Sequence, residues 1–330
     1  VYAGGAWKTV LVGAAGAGGR GVFGLDVSSP ATFTGANVLW EVNDRSSNAT
    51  IADNIGYVLG KPVIVPVKTT DGTVAWKAIF GNGYNSNGGK AVLFVVDVGT
   101  GAVQAIQANE SGAPAGSNGL GSIVVVDSWS GTGLTSSGRD GYADTVYAAD
   151  QKGAIWKFDL RAATPANQTV PVFVTNTDSS GLRQPILGGL AAAAAPSGGV
   201  MVFFGTGSFS FEGDATDTTV QSLYGVQDRP GRTATLTRAN LTAQTIGTTS
   251  ADTRATSMNP LASGKLGWYM DLPAGERVVG NPRIERGILF IPTYLPDVSG
   301  TTGCASNGSN WLYGLDALSG AAGLMGVRVG

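Results

Sequence analysis

Five times along the chain a short apolar strand runs into a glycine-rich corner, a variable loop follows, and a second strand ends on aspartate. The first copy, TVLVGAAGAGGRGVFGLDVSSP, closes on Phe23, Gly24, Leu25 and Asp26. The next, AIFGNGYNSNGGKAVLFVVDVGTG, closes on Val95, Val96 and Asp97, and TVYAADQKGAIWKFDL closes on Lys157, Phe158 and Asp159. Near the middle, MVFFGTGSF leads to Tyr224, Gly225, Val226, Gln227 and Asp228; towards the end, LFIPTY leads to Tyr313, Gly314, Leu315 and Asp316. Copies recurring every roughly 60 to 90 residues are the signature of radial β architectures carrying loop insertions. Gly or Ser just behind the aspartate, as in DVGTG and DALSG, makes the tight turn that leaves the strand. Glycine at the corner lets backbones approach closely. The pattern predicts an all-β chain, a modified β-propeller of about seven irregular blades with long loop insertions, spanning residues 1–330 as one domain. A pair of β-sandwiches is the structural alternative.

Helical periodicity is almost absent. Ala191–Ala195 has helical composition, but Gly188, Gly189, Pro196, Gly198 and Gly199 crowd both ends, so a small-residue buried strand is expected. Residues 229–257 are the most polar and least patterned stretch and are expected to be an excursion between blades.

Composition narrows the chemistry. Glycine, 51 of 330 residues, is about twice its usual share of roughly 7 % without a collagen period. Charged residues reach only 13 % and nearly cancel at −2, so no basic stripe invites nucleic acid. Histidine is absent, which removes Ser-His-Asp and Cys-His catalysis and His-based zinc sites. Any metal site must be built from oxygen ligands, favouring calcium or magnesium. The single cysteine, Cys304, cannot close a disulfide within the chain. No apolar run approaches the roughly 18 residues of a membrane span. The chain opens in mid-pattern at Val1-Tyr2-Ala3-Gly4-Gly5, as expected for part of a longer exported protein. Asn-X-Ser/Thr triplets at Asn48, Asn109, Asn167, Asn240 and Asn307 suit an exported surface.

The stretch GRDGYADTVYAADQKGAIWKFDL, residues 138–160, concentrates the acidic groups. A short calcium loop reads D-x-[DN]-x-D-G-x-x-D, with glycine at the sharp bend. Asp140-Gly141 and Asp144 supply its second half, and the Tyr142 carbonyl would fill the seventh place. Counting backward fails, because positions three and one fall on Gly138 and Ser136. The nearest earlier carboxylate is Asp127, at the end of the apolar run Ile123–Val126. Two readings stand. Either Asp127 meets Asp140 and Asp144 across an inserted segment, with Ser128 or another loop oxygen as the third-position ligand, or the cluster is a DG turn with solvated aspartates. Asp150 occupies a corner held elsewhere by glycine and is expected to tie that corner by hydrogen bonds.

With those residues laid out, the chain resembles the C-terminal β-propeller domain of the PilY1/PilC family of type IV pilus tip proteins. The anchors are WKTVLVGAAGAGGRGVFGLDVSSP, LWEV, IGYVLGKPVIV, GNGYNSNGGKAVLFVVD, NGL, DGYADTVYAADQKGAIWKFDL, FGTGSF and CASNGSNWLYGLDALSG, in order. The resemblance implies a non-enzymatic factor at the pilus tip, exported and associated with the outer membrane or cell surface. It implies a role in pilus biogenesis, extension against retraction, twitching motility and adhesion, with minor pilins and host or abiotic surfaces as partners. It also implies a calcium loop. Carried over, the loop's glycine and last two aspartates match Gly141, Asp140 and Asp144, its first aspartate matches Asp127, and Ca2+ is the implied ligand; the inserted segment and missing middle ligand are departures.

Aromatic residues in loops (Tyr84, Trp129, Phe209 and Tyr294) are candidate contacts for a binding module, with packing between blades as the alternative role. The rival function is a quinone-dependent dehydrogenase, since LYGLDALSG at Leu312–Gly320 is similar to the strand ends of those propellers. Against it, the copies lack a regular tryptophan-docking pattern and no vicinal cysteine pair is present. A glycosidase would need two facing carboxylates, and nothing in the sequence points to such a pair.

Overall fold

A computed structural model describes residues 1–127, 139–162, 165–167, 170–177, 181–248, 250–297 and 308–329. Ser128, Trp129, Ser136, Gly138, Cys304 and Asn307 lie outside the described residues. The chain is all-β, and its described residues divide into two compact units. One is built from residues up to 171; the other takes residues 172–330 and the turn at 152–154.

The first unit is made of antiparallel meanders in chain order. One pairs β1 (Val10–Ala14), β2 (Gly21–Asp26) and β3 (Val38–Asn43); the next pairs β4 (Val63–Lys68), β5 (Val74–Gly81), β6 (Val92–Asp97) and β7 (Val103–Gln107). The third runs β8 (Leu120–Val126), β9 (Thr145–Asp150), β10 (Ala154–Asp159) and β11 (Ala166–Asn167). A sequential antiparallel sheet of this kind is the unit from which propeller blades are made. Val22, Trp40, Val42, Phe80, Phe94 and Val96 pack into one core, with Phe80 and Phe94 stacked 5.5 Å apart.

The second unit runs through β12 (Ala191–Ala194), β13 (Val200–Gly205), β14 (Ser222–Asp228), β15 (Thr242–Gln244), β16 (Ile246–Thr248), β17 (Thr253–Thr256), β18 (Gly267–Asp271), β19 (Arg283–Glu285), β20 (Ile288–Leu295), β21 (Ser309–Asp316) and β22 (Gly326–Val329). Two sheets result, ordered β12-β13-β14-β18-β15 and β16-β17-β22-β21-β20-β19. Phe203, Leu223, Trp268, Met270, Leu289, Ile291, Trp311 and Leu315 form the core.

The repeat holds at the level of hydrogen-bond register. Asp26, Asp159, Asp228 and Asp316 each end a strand and pair with the first residue of the strand before: Val10, Thr145, Val200 and Ile288. Asp97 ends β6 in the same way, opposite Lys77. The aspartates then build the exit turn. Asp97 Oδ1 accepts from the Gly99 and Thr100 backbone N–H groups at 3.0 and 2.8 Å and from the Thr100 hydroxyl at 2.9 Å. Asp316 accepts from the Ser319 N–H and hydroxyl at 2.8 and 2.7 Å. The Ser28 hydroxyl and N–H, with Lys8 beside them, hold the Asp26 carboxyl down to about 2, so this turn keeps its charge well into acid. The LDALSG stretch that is similar to quinone enzymes is therefore a strand exit whose carboxylate Oδ1 holds the turn.

The alanine run forms strand β12, paired with β13 from Ala191↔Phe203 to Ala194↔Val200. Residues 229–257 correct the expectation of an excursion, because they supply β15, β16 and β17 to both sheets. Their polarity hides their burial. Gln244 is 2 % exposed and donates to the Asn259 and Ser319 carbonyls while accepting from Ser257 Oγ and the Asn259 N–H. A fully hydrogen-bonded amide is tolerated inside, yet it leaves no apolar alternation to read.

Candidate functional site

β8 and β9 pair through Val126↔Thr145, which places Asp127 one residue past the end of β8 and Asp144 one residue before the start of β9. The Asp144 N–H donates to the Val126 carbonyl at 3.1 Å, closing the ladder. Between them, Gly141 sits at φ +86°, the left-handed bend that glycine takes without strain. Its N–H donates to Asp127 Oδ2 at 3.0 Å, and the Tyr142 N–H donates to Asp140 Oδ1 at 3.1 Å. The turn is anchored on β4: the Ala143 N–H donates to the Pro66 carbonyl at 2.9 Å, and Ala143 bridges Val67 in parallel. The geometry thus brings Asp127 and Asp144 together at one strand end and ties Asp127 to the Asp140-Gly141 bend.

Cationic side chains face the same carboxylates. Lys68 Nζ lies 3.7 Å from Asp140 Oδ2 and 5.5 Å from the centre of the Tyr142 ring. Arg139 Nε lies 4.0 Å from Asp127 Oδ2. Arg161 is held protonated above its ordinary range by its bond to Asp159, with the Asp144 charge adding to the effect. Asp127 Oδ1 is buried and has no hydrogen-bond partner among the described residues. The donors are all oxygens, and this buried acceptor is unmet, as a hard cation requires. Even so, no three acidic side chains among the described residues converge on one point. The fit is in donor chemistry and in the orphaned oxygen rather than in a finished cage.

Asp150, at the far end of β9, is fully buried. Its Oδ2 accepts from Asn118 Nδ2 at 3.0 Å and Trp156 Nε1 at 2.8 Å. It ties the corner, as its position in the repeat suggests. Asn82 does related work, donating to the Asn54 and Lys90 carbonyls and accepting from the Val92 and Leu120 N–H groups.

The aromatic candidates separate. Tyr84 is 4 % exposed and packs in the first unit, so it is no surface contact; a β-carbon at Gly121 would lie 2.3 Å from its hydroxyl. Trp129 is outside the described residues. In the second unit Phe209 is 44 % exposed and meets Tyr294 edge-on at 5.1 Å. Sequence reasoning missed Phe211, 41 % exposed on the same loop. That loop is braced: Arg277, itself buried, donates to the carbonyls of Ser208, Asp214 and Asp217, and Asp214 Oδ2 accepts from the Ser208 hydroxyl and the Ser210 and Phe211 N–H groups. A fixed loop presenting two aromatic rings loses little entropy on contact, which is how interface anchors work. The F-S-F alternation was the available signal; Arg277 gave none.

Comparison with known proteins decides the kinship. The family model for the PilY1 beta-propeller domain matches residues 1–259. The chain belongs to the PilY1 β-propeller family. It is 42 % identical to a type IV pilus biogenesis factor PilY1 homologue of Xylella fastidiosa, over 99 % of this chain and 23 % of the relative. It is 32 % identical to the type IV pilus biogenesis factor PilY1 of Pseudomonas aeruginosa, over 97 % of this chain and 30 % of that protein. The crystal structure of the P. aeruginosa PilY1 C-terminal domain superposes with a TM-score of 0.77 at 30 % identity, covering 96 % of this chain and 68 % of that one. The chain spans about a quarter to a third of the length of these PilY1 relatives. Among the described residues no helix is long and apolar enough to cross a membrane.

Proposed function

We propose that this PilY1 propeller is a non-enzymatic type IV pilus biogenesis module. It acts at the cell surface within the pilus tip complex, supports extension against retraction, and through that twitching motility and attachment. The observation that carries the reading is kinship over nearly the whole chain with factors named for pilus biogenesis. A quinone-dependent enzyme is disfavoured because Asp316, the acid in its most suggestive stretch, is committed to the exit turn.

The contact with minor pilins is assigned to the braced loop carrying Phe209 and Phe211. Phe209→Ser/Phe211→Ser, placed in the full-length protein of the source bacterium, is expected to leave circular dichroism and thermal midpoint unchanged. Sheared surface pili and twitching zones should both fall several-fold, because exposed aromatic anchors carry a disproportionate share of interface energy. Normal piliation in the double variant would sink the contact assignment, and normal piliation after deleting the whole propeller would sink the function.

Calcium regulation belongs to the acidic turn. The ion would be held by Asp127, Asp140 and Asp144 and by the Tyr142 carbonyl, with Lys68 and Arg139 released from the carboxylates they now face. Lys68→Met is therefore expected to tighten calcium binding about fivefold, the effect of removing one exposed competing charge. Asp140→Ala/Asp144→Ala should abolish binding. Isothermal calorimetry on the parent chain and both variants checks this; a flat titration of the parent, or an unchanged affinity in Lys68→Met, would overturn it.

A further inference from the structure

The second unit carries a cavity of about 420 Å³ that borders the braced loop at Asp217 and has no part in the acidic turn. One wall is a row of linked polar groups. Gln221 Nε2 donates to Thr219 Oγ1 at 2.9 Å, Thr219 Oγ1 donates to Asp217 Oδ2 at 2.9 Å, and the Thr219 N–H donates to Asp217 Oδ1 at 2.8 Å. Gln221 is 4 % exposed, and its Oε1 is buried without a partner among the described residues. Behind the row, Gln184 is locked, donating to the Val220 carbonyl and Ser222 Oγ while accepting from the Tyr224 hydroxyl at 2.6 Å. Leu182 and Val220, 56 % and 46 % exposed, supply apolar surface at the same cavity. Arg183 and Asp217 both line it, so its formal charges balance.

Each of these features excludes a ligand class. The Asp217 carboxylate opposes phosphates and other dense anions, and Arg183 opposes metal cations. An apolar ligand would offer no donor to Gln221 Oε1, the one acceptor of the row left unmet among the described residues. What remains is a neutral molecule whose groups both donate and accept and which also offers a flat C–H face. The volume falls in the usual range for small-molecule sites, roughly 300–1,000 Å³. A sugar ring has this combination: adjacent hydroxyls to bridge a carboxylate, a hydroxyl and an amide, and an axial C–H face for Leu182 and Val220. The geometry points to a saccharide site at Asp217–Thr219–Gln221, recognising a neutral hexose unit. The assignment goes beyond pilus biogenesis and stands whether or not that reading holds.

The test is saturation-transfer NMR on the chain with D-glucose, D-galactose, D-mannose and N-acetyl-D-glucosamine, followed by titration of the best. The probes are the free sugars, and the expected affinity is near millimolar, as befits a single exposed sugar unit. At least one sugar is expected to give saturable transfer to its ring C–H protons. Leu182→Arg and Gln221→Leu should each weaken it at least tenfold. The first change is at an exposed position, and the second replaces a buried amide by a slightly smaller apolar side chain, so both variants should fold. Val74→Ser, in the first unit, should bind as the parent does. No transfer from any of the four sugars, or full affinity in both second-unit variants, overturns the assignment.

Discussion

Replacing Arg254 by methionine is expected to destabilise the second unit by about 3–5 kcal/mol, the cost of stripping one partner from a buried ion pair. Arg254, on β17, is 8 % exposed and pairs with Glu276, which has no exposed surface at all. Tyr313 donates to Glu276 Oε1 at 3.0 Å and Thr293 Oγ1 donates to it at 2.5 Å, while the Arg254 guanidinium stacks 3.6 Å over the Trp311 ring. Three strands, β17, β20 and β21, therefore converge on one loop carboxylate. Burial works against the Arg254 charge, but Glu276 overcomes it and raises the guanidinium above its ordinary range. With Arg254 gone, Glu276 keeps its hydroxyl donors but loses the cation paired with it, in a place without exposed surface. Urea denaturation at neutral pH measures the loss. The double variant Arg254→Met/Glu276→Gln should recover most of it, since an apolar or neutral replacement of both partners is often near neutral. A single variant within about 1 kcal/mol of the parent would show that the pair contributes little and that the stacked rings alone hold β17 in place.

That network also marks the limit of what the sequence could reveal. The blades were legible because the exit turn needs an acceptor at one fixed place: every aspartate of the repeat, from Asp26 to Asp316, ends its strand as the pattern requires. The alanine strand β12 was legible too, because glycine and proline at both ends outweigh alanine's helical preference. Residues 242–256 were not. Thr242, Gln244, Arg254 and Thr256 are all buried, and their burial depends on partners distant in sequence: Gln244 reaches Ser319 and Arg254 reaches Glu276 and Tyr313. Hydropathy assigns such residues to the surface because it cannot see the group that satisfies them. The pairing of β15 beside β18 is hidden for a related reason, since a parallel neighbour 26 residues away in register (Thr242↔Trp268) leaves no turn signal between them.

The acidic turn was legible by half. DG followed by a downstream aspartate announces the bend, and strand pairing brings Asp127 to it. Lys68 was invisible, because it arrives from β4 through a parallel bridge that no local motif encodes. The same cation that moderates the carboxylates is thus the residue on which the calcium proposal turns, and only tertiary structure exposes it.

Gly320→Val is the second large effect, expected at roughly 3 kcal/mol or more. Gly320 ends the turn built by Asp316, its N–H donating to the Asp316 carbonyl at 2.8 Å, and it sits at φ +70°. A β-carbon there would lie 2.2 Å from the Trp268 ring, far inside any real contact. Trp268 cannot withdraw. It is fully buried, its Nε1 donates to the Ala317 carbonyl at 3.0 Å, and its other side lies against Gly225, where a β-carbon would come within 2.5 Å of the indole nitrogen. Two glycines thus make the slot for one indole. Left-handed backbone costs a residue with a side chain about 1–2 kcal/mol, and overpacking adds about 1–3 kcal/mol. A double-mutant cycle with Trp268→Leu separates the two contributions. Trp268→Leu alone should be costly, because it empties part of the core. In that background Gly320→Val should lose its steric penalty and retain only the backbone one, giving a coupling of at least about 1 kcal/mol in the favourable direction. Strict additivity in urea denaturation would mean that the indole does not press on this turn, and that Gly320 serves backbone conformation alone.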